Sequence, residues 1–267
     1  MDNQLDRERA FKEMTRARAP ESDDIRQRSP LRLHAQIRSG IRRGVVGASD
    51  RLDEDSMVRT YSTSRNAVRA ALALLAEEGI VSRERRHGTI VMDSIEDIQI
   101  GTGNGWNTDE TFRHAMTNLG SSTIPTTPLI AGLLRTSEDT VRVTQFVDFR
   151  DGVPFLIYIN YAAMSGGDRQ YTSECPSESF EVLFERAYKS PLARIDCSVQ
   201  AVSSDERTAR LLNVAPGTAL MLKERLLVDA TGTPREFSHT YYIASRVALT
   251  TTTWTAGHSP PADSRAS

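Results

Sequence analysis

The stretch from Ser64 to Val91, SRNAVRAALALLAEEGIVSRERRHGTIV, constrains this chain more than any other. Ser64 is a good helix N-cap, because its hydroxyl can accept one of the unpaired N–H groups of a first turn. Val68, Leu72 and Leu75 then share one face, and Ala67 and Ala71 permit close approach behind it. Arg65, Asn66 and Arg69 fall on the outward side of the first two turns. Glu78-Gly79 ends the helix. Ile80-Val81 starts a strand, Arg83 to Gly88 turns, and Thr89-Ile90-Val91 returns. The stretch therefore reads as a helix followed by a short basic hairpin.

The residues before it supply the rest of a small domain. Pro30 suits the first position of a helix, where its missing N–H costs little. Leu33, Ile37 and Ile41 recur as one buried stripe, and Gly44 to Ser49 breaks the pattern. A second short helix is expected over about Glu54 to Thr60, with Met57 and Val58 inward and Tyr61-Ser62-Thr63 as the turn. This is a winged helix-turn-helix, with the helix after Ser64 as the recognition helix. Arg matches the paired acceptors of guanine and Asn the donor and acceptor of adenine, so Ser64, Arg65, Asn66 and Arg69 are candidate DNA contacts. A solvated helix end bearing two arginines would look the same, and the hairpin decides between the two. Arg85, Arg86, His87, Gly88 and Thr89 form a basic wing suited to a phosphate backbone or a minor groove.

Charge supports the division. Residues 31–91 hold 11 arginines and no lysine against seven acidic residues, an excess of four positive charges. The whole chain carries −2, so the remainder carries −6. A basic segment in an acidic protein suits a double-stranded DNA reader joined to something else. No apolar run approaches the ~18 residues of a membrane span, and MDNQLDRERA lacks a signal-peptide core, so a cytoplasmic protein is expected. Cys175 and Cys197 fit neither a disulfide framework nor a four-cysteine zinc site. No cofactor and no metal is expected.

Segment 30–91 resembles the DNA-binding domain of the GntR family of bacterial transcription regulators. The matching residues are Leu52 with Glu54, Ser64-Arg65, Val68-Arg69, Ala71-Leu72, Leu75, Glu78-Gly79, Gly88-Thr89 and Val91. Two departures stand out. The family's Leu-Pro-Ser-Glu run is Leu52-Asp53-Glu54-Asp55 here, one residue shorter, which leaves the start of helix two open. The first wing glycine is Arg86, which makes the tip stiffer and more basic.

Residues 1–29 mix charges with few apolar residues and read as a disordered tail. Domain one is then 30–92, and 93–120 reads as a linker. Within the linker Gly101 to Gly105 is a hinge without nucleotide-fingerprint spacing, and Trp106 and Phe112 could dock it onto one domain. From 121 to 250 the pattern is mixed. Val141, Val143 and Val147 alternate with polar residues, Arg150 to Pro154 turns, and Phe155 to Tyr161 returns. Phe180, Leu183, Phe184 and Ala187 make a helical stripe. Ile195 to Val202 is a strand. Ser204 is expected to cap a helix with Ala209 and Leu212 inward. Ala219 to Val228 and Glu236 to Ile243 are strands, the second expected to be the last. This is an α+β domain built on an antiparallel sheet. Residues 251–267, rich in Thr, Ser and Pro, read as a second tail.

The set of short matches Asp151-Gly152-Val153-Pro154, Ala209, Leu212-Asn213-Val214, Gly217, Glu224-Arg225 and Gly232-Thr233-Pro234 with Glu236 resembles the UTRA ligand-sensing domain of the HutC subfamily of GntR regulators. The resemblance implies a chorismate-lyase-like fold that binds an effector without processing it. It also implies two pocket arginines for an anionic effector, at positions occupied here by Phe146 and Asp148. Without that fork a phosphorylated sugar is not the expected ligand. Period-two geometry puts Phe146, Asp148, Tyr158, Glu236, Ser238 and Tyr242 forward as one effector-binding face. Each also suits a structural role, Phe146 in a core and Glu236 in an ion pair.

The expected protein is thus not an enzyme. It is a homodimeric, sequence-specific transcription regulator, a repressor, whose operator binding responds to a small-molecule effector. An enzyme of lyase-like fold tethered to a DNA module is the alternative. It finds little support, because His114, His239 and His258 are isolated from other catalytic residue types.

Overall fold

The computed structural model describes residues 30–84, 88–92, 95–100, 114–150, 152–166 and 180–253. It divides into two compact units, one ending at Ile95 and the other beginning at Glu96. Both expected tails, the glycine hinge with Trp106 and Phe112, and the wing-tip residues Arg85, Arg86 and His87 lie outside the described residues, apart from 251–253.

The first unit runs α1 (Pro30–Arg42), β1 (Arg51–Leu52), α2 (Glu54–Thr60), α3 (Arg65–Glu77), β2 (Val81–Glu84) and β3 (Gly88–Val91). Its three strands pair in the order β1-β3-β2. Leu33, Ile37 and Ile41 of α1 are buried, and α1 packs on α3. From α3, Val68, Ala71, Leu72 and Leu75 are wholly inaccessible. Val68, Leu72 and Leu75 each contribute about 1.5–3 kcal/mol by leaving water. Glu78 closes α3 and ties it to α1, with Arg38 Nη1 donating to it at 2.9 Å and His34 Nε2 lying 3.0 Å from its other oxygen. The chain then turns sharply at Gly79, whose φ of +74° a residue with a Cβ would adopt only under strain. Asp53 settles the start of helix two. It is the N-cap, accepting from Ser56 N at 2.7 Å, so the shortened run still supplies a cap. Met57 is buried as expected, while Val58 is only half-buried.

The second unit contains β4 (Glu96–Gln99), β5 (His114–Pro125), α4 (Pro128–Leu134), β6 (Thr140–Arg150), β7 (Val153–Ala163), α5 (Phe180–Tyr188), β8 (Leu192–Ser203), α6 (Glu206–Leu212), β9 (Ala219–Asp229), β10 (Pro234–Ile243) and β11 (Val247–Thr250). Six strands form one antiparallel sheet, ordered β5-β6-β7-β10-β9-β8. Its register sorts the side chains onto two faces, since successive residues of a strand point opposite ways. One face carries Val141, Val147, Ile157, Leu220, Phe237 and Ile243, which pack with α4 and α6. The other lies under α5 at one end, through Phe180, Phe184 and Leu227. At its other end it lies under the parallel β4–β11 pair, through Ile98, Val247 and Leu249.

Four sequence expectations need correction. The span read as a linker holds β4 and the first seven residues of β5. β5 is a sheet edge with both sides mostly exposed from residue 117 onward, so it shows no apolar alternation to read. The helix α4 was not expected. Its signal was Thr127-Pro128, with the Thr127 hydroxyl accepting from Ile130 N at 3.4 Å and proline in the first turn. Asp205, one residue later than expected, caps α6 by accepting from Thr208 N at 2.6 Å, while Ser204 donates its hydroxyl to the Ala215 carbonyl. Finally, β10 is followed by β11, whose Val247 and Leu249 are too few to stand out as a strand.

Candidate DNA interface and effector site

Ser64 caps α3, its hydroxyl accepting from Ala67 N at 3.2 Å. That bond fixes the direction in which the helix begins. Arg65, Asn66 and Arg69 are all exposed on its first two turns. Two of them are held by α2. Asp55 pairs with Arg65, and Glu54 takes Arg69 Nε at 2.9 Å. The other Glu54 oxygen lies 3.4 Å from Arg83 of β2. Acidic residues suit the first turn of α2 on their own account, because unpaired N–H groups make a helix start partially positive. Here the same carboxylates also fan three arginines across one surface. Exposed pairs of this kind are worth about 0–1 kcal/mol, weak enough for a phosphate to displace the carboxylate. Sequence reasoning missed Glu54, Asp55 and Arg83. Their signal is present only as residues distant in sequence that the turn brings together.

The wing contributes less than expected among the described residues. Thr89 is 5% exposed, because β3 alternates and turns Thr89 and Val91 inward. Its side chain is therefore not presented to DNA. Gly88 has a φ of +86°, and a Cβ there would come within 3.0 Å of the Arg51 guanidinium.

The six residues put forward for the effector face all lie on the sheet face shared by α5 and the β4–β11 pair. Cross-strand register arranges them in rows. Asp148, Leu156, Tyr242 and Met221 are successive neighbours. So are Phe146, Tyr158, Thr240 and Lys223, and so are Thr144, Asn160, Ser238 and Arg225. Arg142, Ala162, Glu236 and Leu227 complete the face. The ends differ in character. Phe146, Tyr158 and Tyr242 are packed with Ile98, Phe155 and Val247. Tyr242 has its phenol pushed up well above the ordinary range, first by burial. Glu236 sits toward α5, accepting from the Tyr188 hydroxyl at 2.7 Å. Asp148 lies 3.9 Å from Arg150, which also pairs with Glu96.

Between these ends the face is polar and closed to bulk water. Lys223, Arg225, Ser238 and Thr240 are all buried, Lys223 at 1% exposure. Burial, and next the Arg225 charge, pull Lys223 from the ordinary 10.5 to about 7. The Lys223 ammonium lies 5.1 Å from the centre of the Tyr242 ring, and the Arg225 guanidinium lies 5.4 Å from that of Phe180. Neither cation was put forward from the sequence. In MLKERLL they read as the polar half of an alternating strand, and only the register shows that they face inward while Glu224 faces out toward His239. β9 thus places two buried cations on the face where the resemblance implied arginines at 146 and 148 of β6.

The comparisons with known proteins fit both halves. Residues 31–91 match the profile of the bacterial regulatory proteins of the gntR family, and residues 110–248, more than half of the chain, match the UTRA domain. The chain is a GntR-family transcription regulator with a UTRA ligand-sensing domain. An uncharacterized HTH-type transcriptional regulator, RB1450 of Rhizobium meliloti, is 26% identical over 220 residues, covering 80% of this chain and 90% of that protein. The crystal structure of PhnF from Mycobacterium smegmatis matches with a TM-score of 0.58 at 18% identity, covering 83% of this chain and 99% of that one. The effector domain of PhnF alone matches with a TM-score of 0.51 at 17% identity, covering 60% of this chain and 99% of that one. At such identities the structural likeness speaks for the fold alone. In GntR terms, α2 and α3 are the helix-turn-helix, β2 and β3 the wing, and the second unit the sensor that modulates DNA binding.

Proposed function

We propose that this GntR regulator is a homodimeric repressor of the HutC subfamily, reading a pseudo-palindromic operator with two copies of α3. The observation that carries this reading is the exposure of Arg65, Asn66 and Arg69 together at the start of α3. Arg65 and Arg69 leave their carboxylates to bind guanine edges or phosphates, Asn66 suits adenine, and Arg83 adds a phosphate contact. Arg85, Arg86, His87 and Gly88 form the wing contact. The effector occupies the polar middle of the UTRA face, near Phe146, Asp148, Tyr158, Glu236, Ser238 and Tyr242. It acts only through a difference in its affinity for the DNA-competent and DNA-incompetent arrangements of the dimer.

Selection of bound DNA from a random pool by the full chain tests the reading. A sequence with two symmetric half-sites about one or more helical turns apart is expected. Failure to enrich any sequence, or enrichment of a single asymmetric half-site, overturns it.

A further inference from the structure

A lysine side chain this deeply buried needs an explanation that a sheet alone does not give. Moving an ammonium ion out of water is costly unless an anion or several acceptors replace the water. Among the described residues Lys223 forms no hydrogen bond and no ion pair, and its one described contact is the Tyr242 ring. The carboxylates on the same face are engaged at its ends, Glu236 by Tyr188 and Asp148 beside Arg150. A second polar group nearby is also unsatisfied. Ser238 Oγ is fully buried and, among the described residues, has no hydrogen-bond partner. Ser238 pairs directly with Arg225 across the β9–β10 ladder, and Lys223 is its diagonal neighbour on that face. Two cationic side chains and a hydroxyl donor therefore converge on one buried patch. Aromatic residues flank it, Tyr158 and Tyr242 on one side and Phe180 on the other.

We propose that the effector carries an oxyanion, a carboxylate or a phosphate, that seats on Lys223 and the Ser238 hydroxyl with Arg225 beside them. The proposal rests on the reading of this face as the effector site and names the chemistry that the site selects. The absence of arginines at 146 and 148 then relocates the anion toward β9 and does not exclude it. The tolerance for aromatic neighbours fits an anionic group borne on a ring or a short apolar body. Lys223 pairs with Thr240 on β10 and Val199 on β8, and the charged and titratable groups on the same face are Arg225 on its own strand, Glu236 and Tyr242 on β10, Tyr158 on β7, Asp148 on β6 and Cys197 on β8. A bound oxyanion would be the partner that restores its proton. Binding therefore takes up a proton at alkaline pH, and affinity falls as pH rises from 6 to 9.

Inorganic sulfate is a suitable probe, since its charge does not change over that range. Thermal unfolding of the full chain is followed in millimolar sulfate, against chloride of equal ionic strength, at pH 6 and pH 9. The comparison includes Lys223→Met, Lys223→Gln and Ser238→Ala. The wild type is expected to gain melting temperature with sulfate at pH 6, and less at pH 9. The apparent sulfate Kd should rise about tenfold or more in both Lys223 variants and severalfold in Ser238→Ala. No gain beyond chloride in the wild type, or an equal gain in all four proteins, overturns the proposal. Neutral and cationic compounds run in parallel separate it from the broader reading. If one of them shifts the melting temperature of wild type and Lys223 variants alike and also changes operator affinity, the effector site stands and the oxyanion does not. If compounds that shift the melting temperature leave operator affinity unchanged, the effector reading itself fails.

Discussion

Replacing Lys223 with methionine should stabilise the effector-free protein, and by an amount that depends on pH in a defined direction. Methionine has nearly the same length and lacks the charge. Burial, and next Arg225, hold the Lys223 pKa at about 7 in the folded chain against the ordinary 10.5. The unfolded chain therefore binds more protons at this position between pH 7 and about 10, and stability rises with pH across that window. Below pH 7 the folded protein bears the whole penalty of a buried ammonium. At about 1.36 kcal/mol per pH unit this amounts to about 3–5 kcal/mol. For a domain of this size that is roughly 10 °C in melting temperature. Calorimetry of Lys223→Met and wild type at pH 6, 7.5 and 9 should show the variant melting higher at pH 6 and the gap narrowing toward pH 9. Other groups that titrate in this range are common to both proteins and cancel in the difference. A variant that melts lower at pH 6, or a gap that does not change with pH, would refute the account of Lys223 as a buried, uncompensated cation.

Three further outcomes follow from other parts of the chain. Asp229 is buried at the β9–β10 turn, where burial pushes its carboxyl up. The Thr231 hydroxyl, Thr233 N–H and Arg235 nevertheless prevail and hold it at about 2. Asp229→Asn should cost about 2 kcal/mol at neutral pH, and the wild-type advantage should fade in urea melts as pH drops from about 4 toward 2. Ser64→Ala removes the α3 cap and should lower the stability of the DNA-binding unit by about 1 kcal/mol, read from its denaturant midpoint with an unchanged slope. Gly88→Ala must adopt a φ of +86° beside Arg51 and should loosen the β2–β3 hairpin, seen as faster amide exchange at Ser82 and Ile90.

The first unit was largely legible because its information is local. A cap at Ser64, an apolar stripe at helical spacing and a glycine stop each act within one or two turns, and the structure has α3 over Arg65–Glu77 accordingly. What the sequence hid was how charges meet across the turn: nothing in the order of residues says that Glu54 will stand between Arg69 and Arg83. In the second unit, strands with one apolar face were readable, and β6, β7, β9 and β10 lie close to where alternation put them. Edge and ribbon strands were not, since β5 is mostly exposed from residue 117 onward and the four residues of β4 bring one hydrophobic side chain, Ile98, to the core. Lys223 escaped for a related reason. Alternation gives two faces but does not say which of them is covered, and a polar residue on a covered face looks the same as one in solvent until the sheet is assembled.

Reading of the operator by α3 is probed at its first turn by the affinity of Arg65→Glu for that operator. Fluorescence anisotropy with the selected duplex, at one fixed salt concentration, compares wild type with a variant shown by circular dichroism to be folded. Loss of a base or phosphate contact together with charge reversal beside Asp55 should weaken binding by ~100-fold or more. An Arg65→Glu protein that binds the operator within about twofold of wild type would contradict the placement of the recognition helix, because a single good Arg contact is worth about 1–3 kcal/mol.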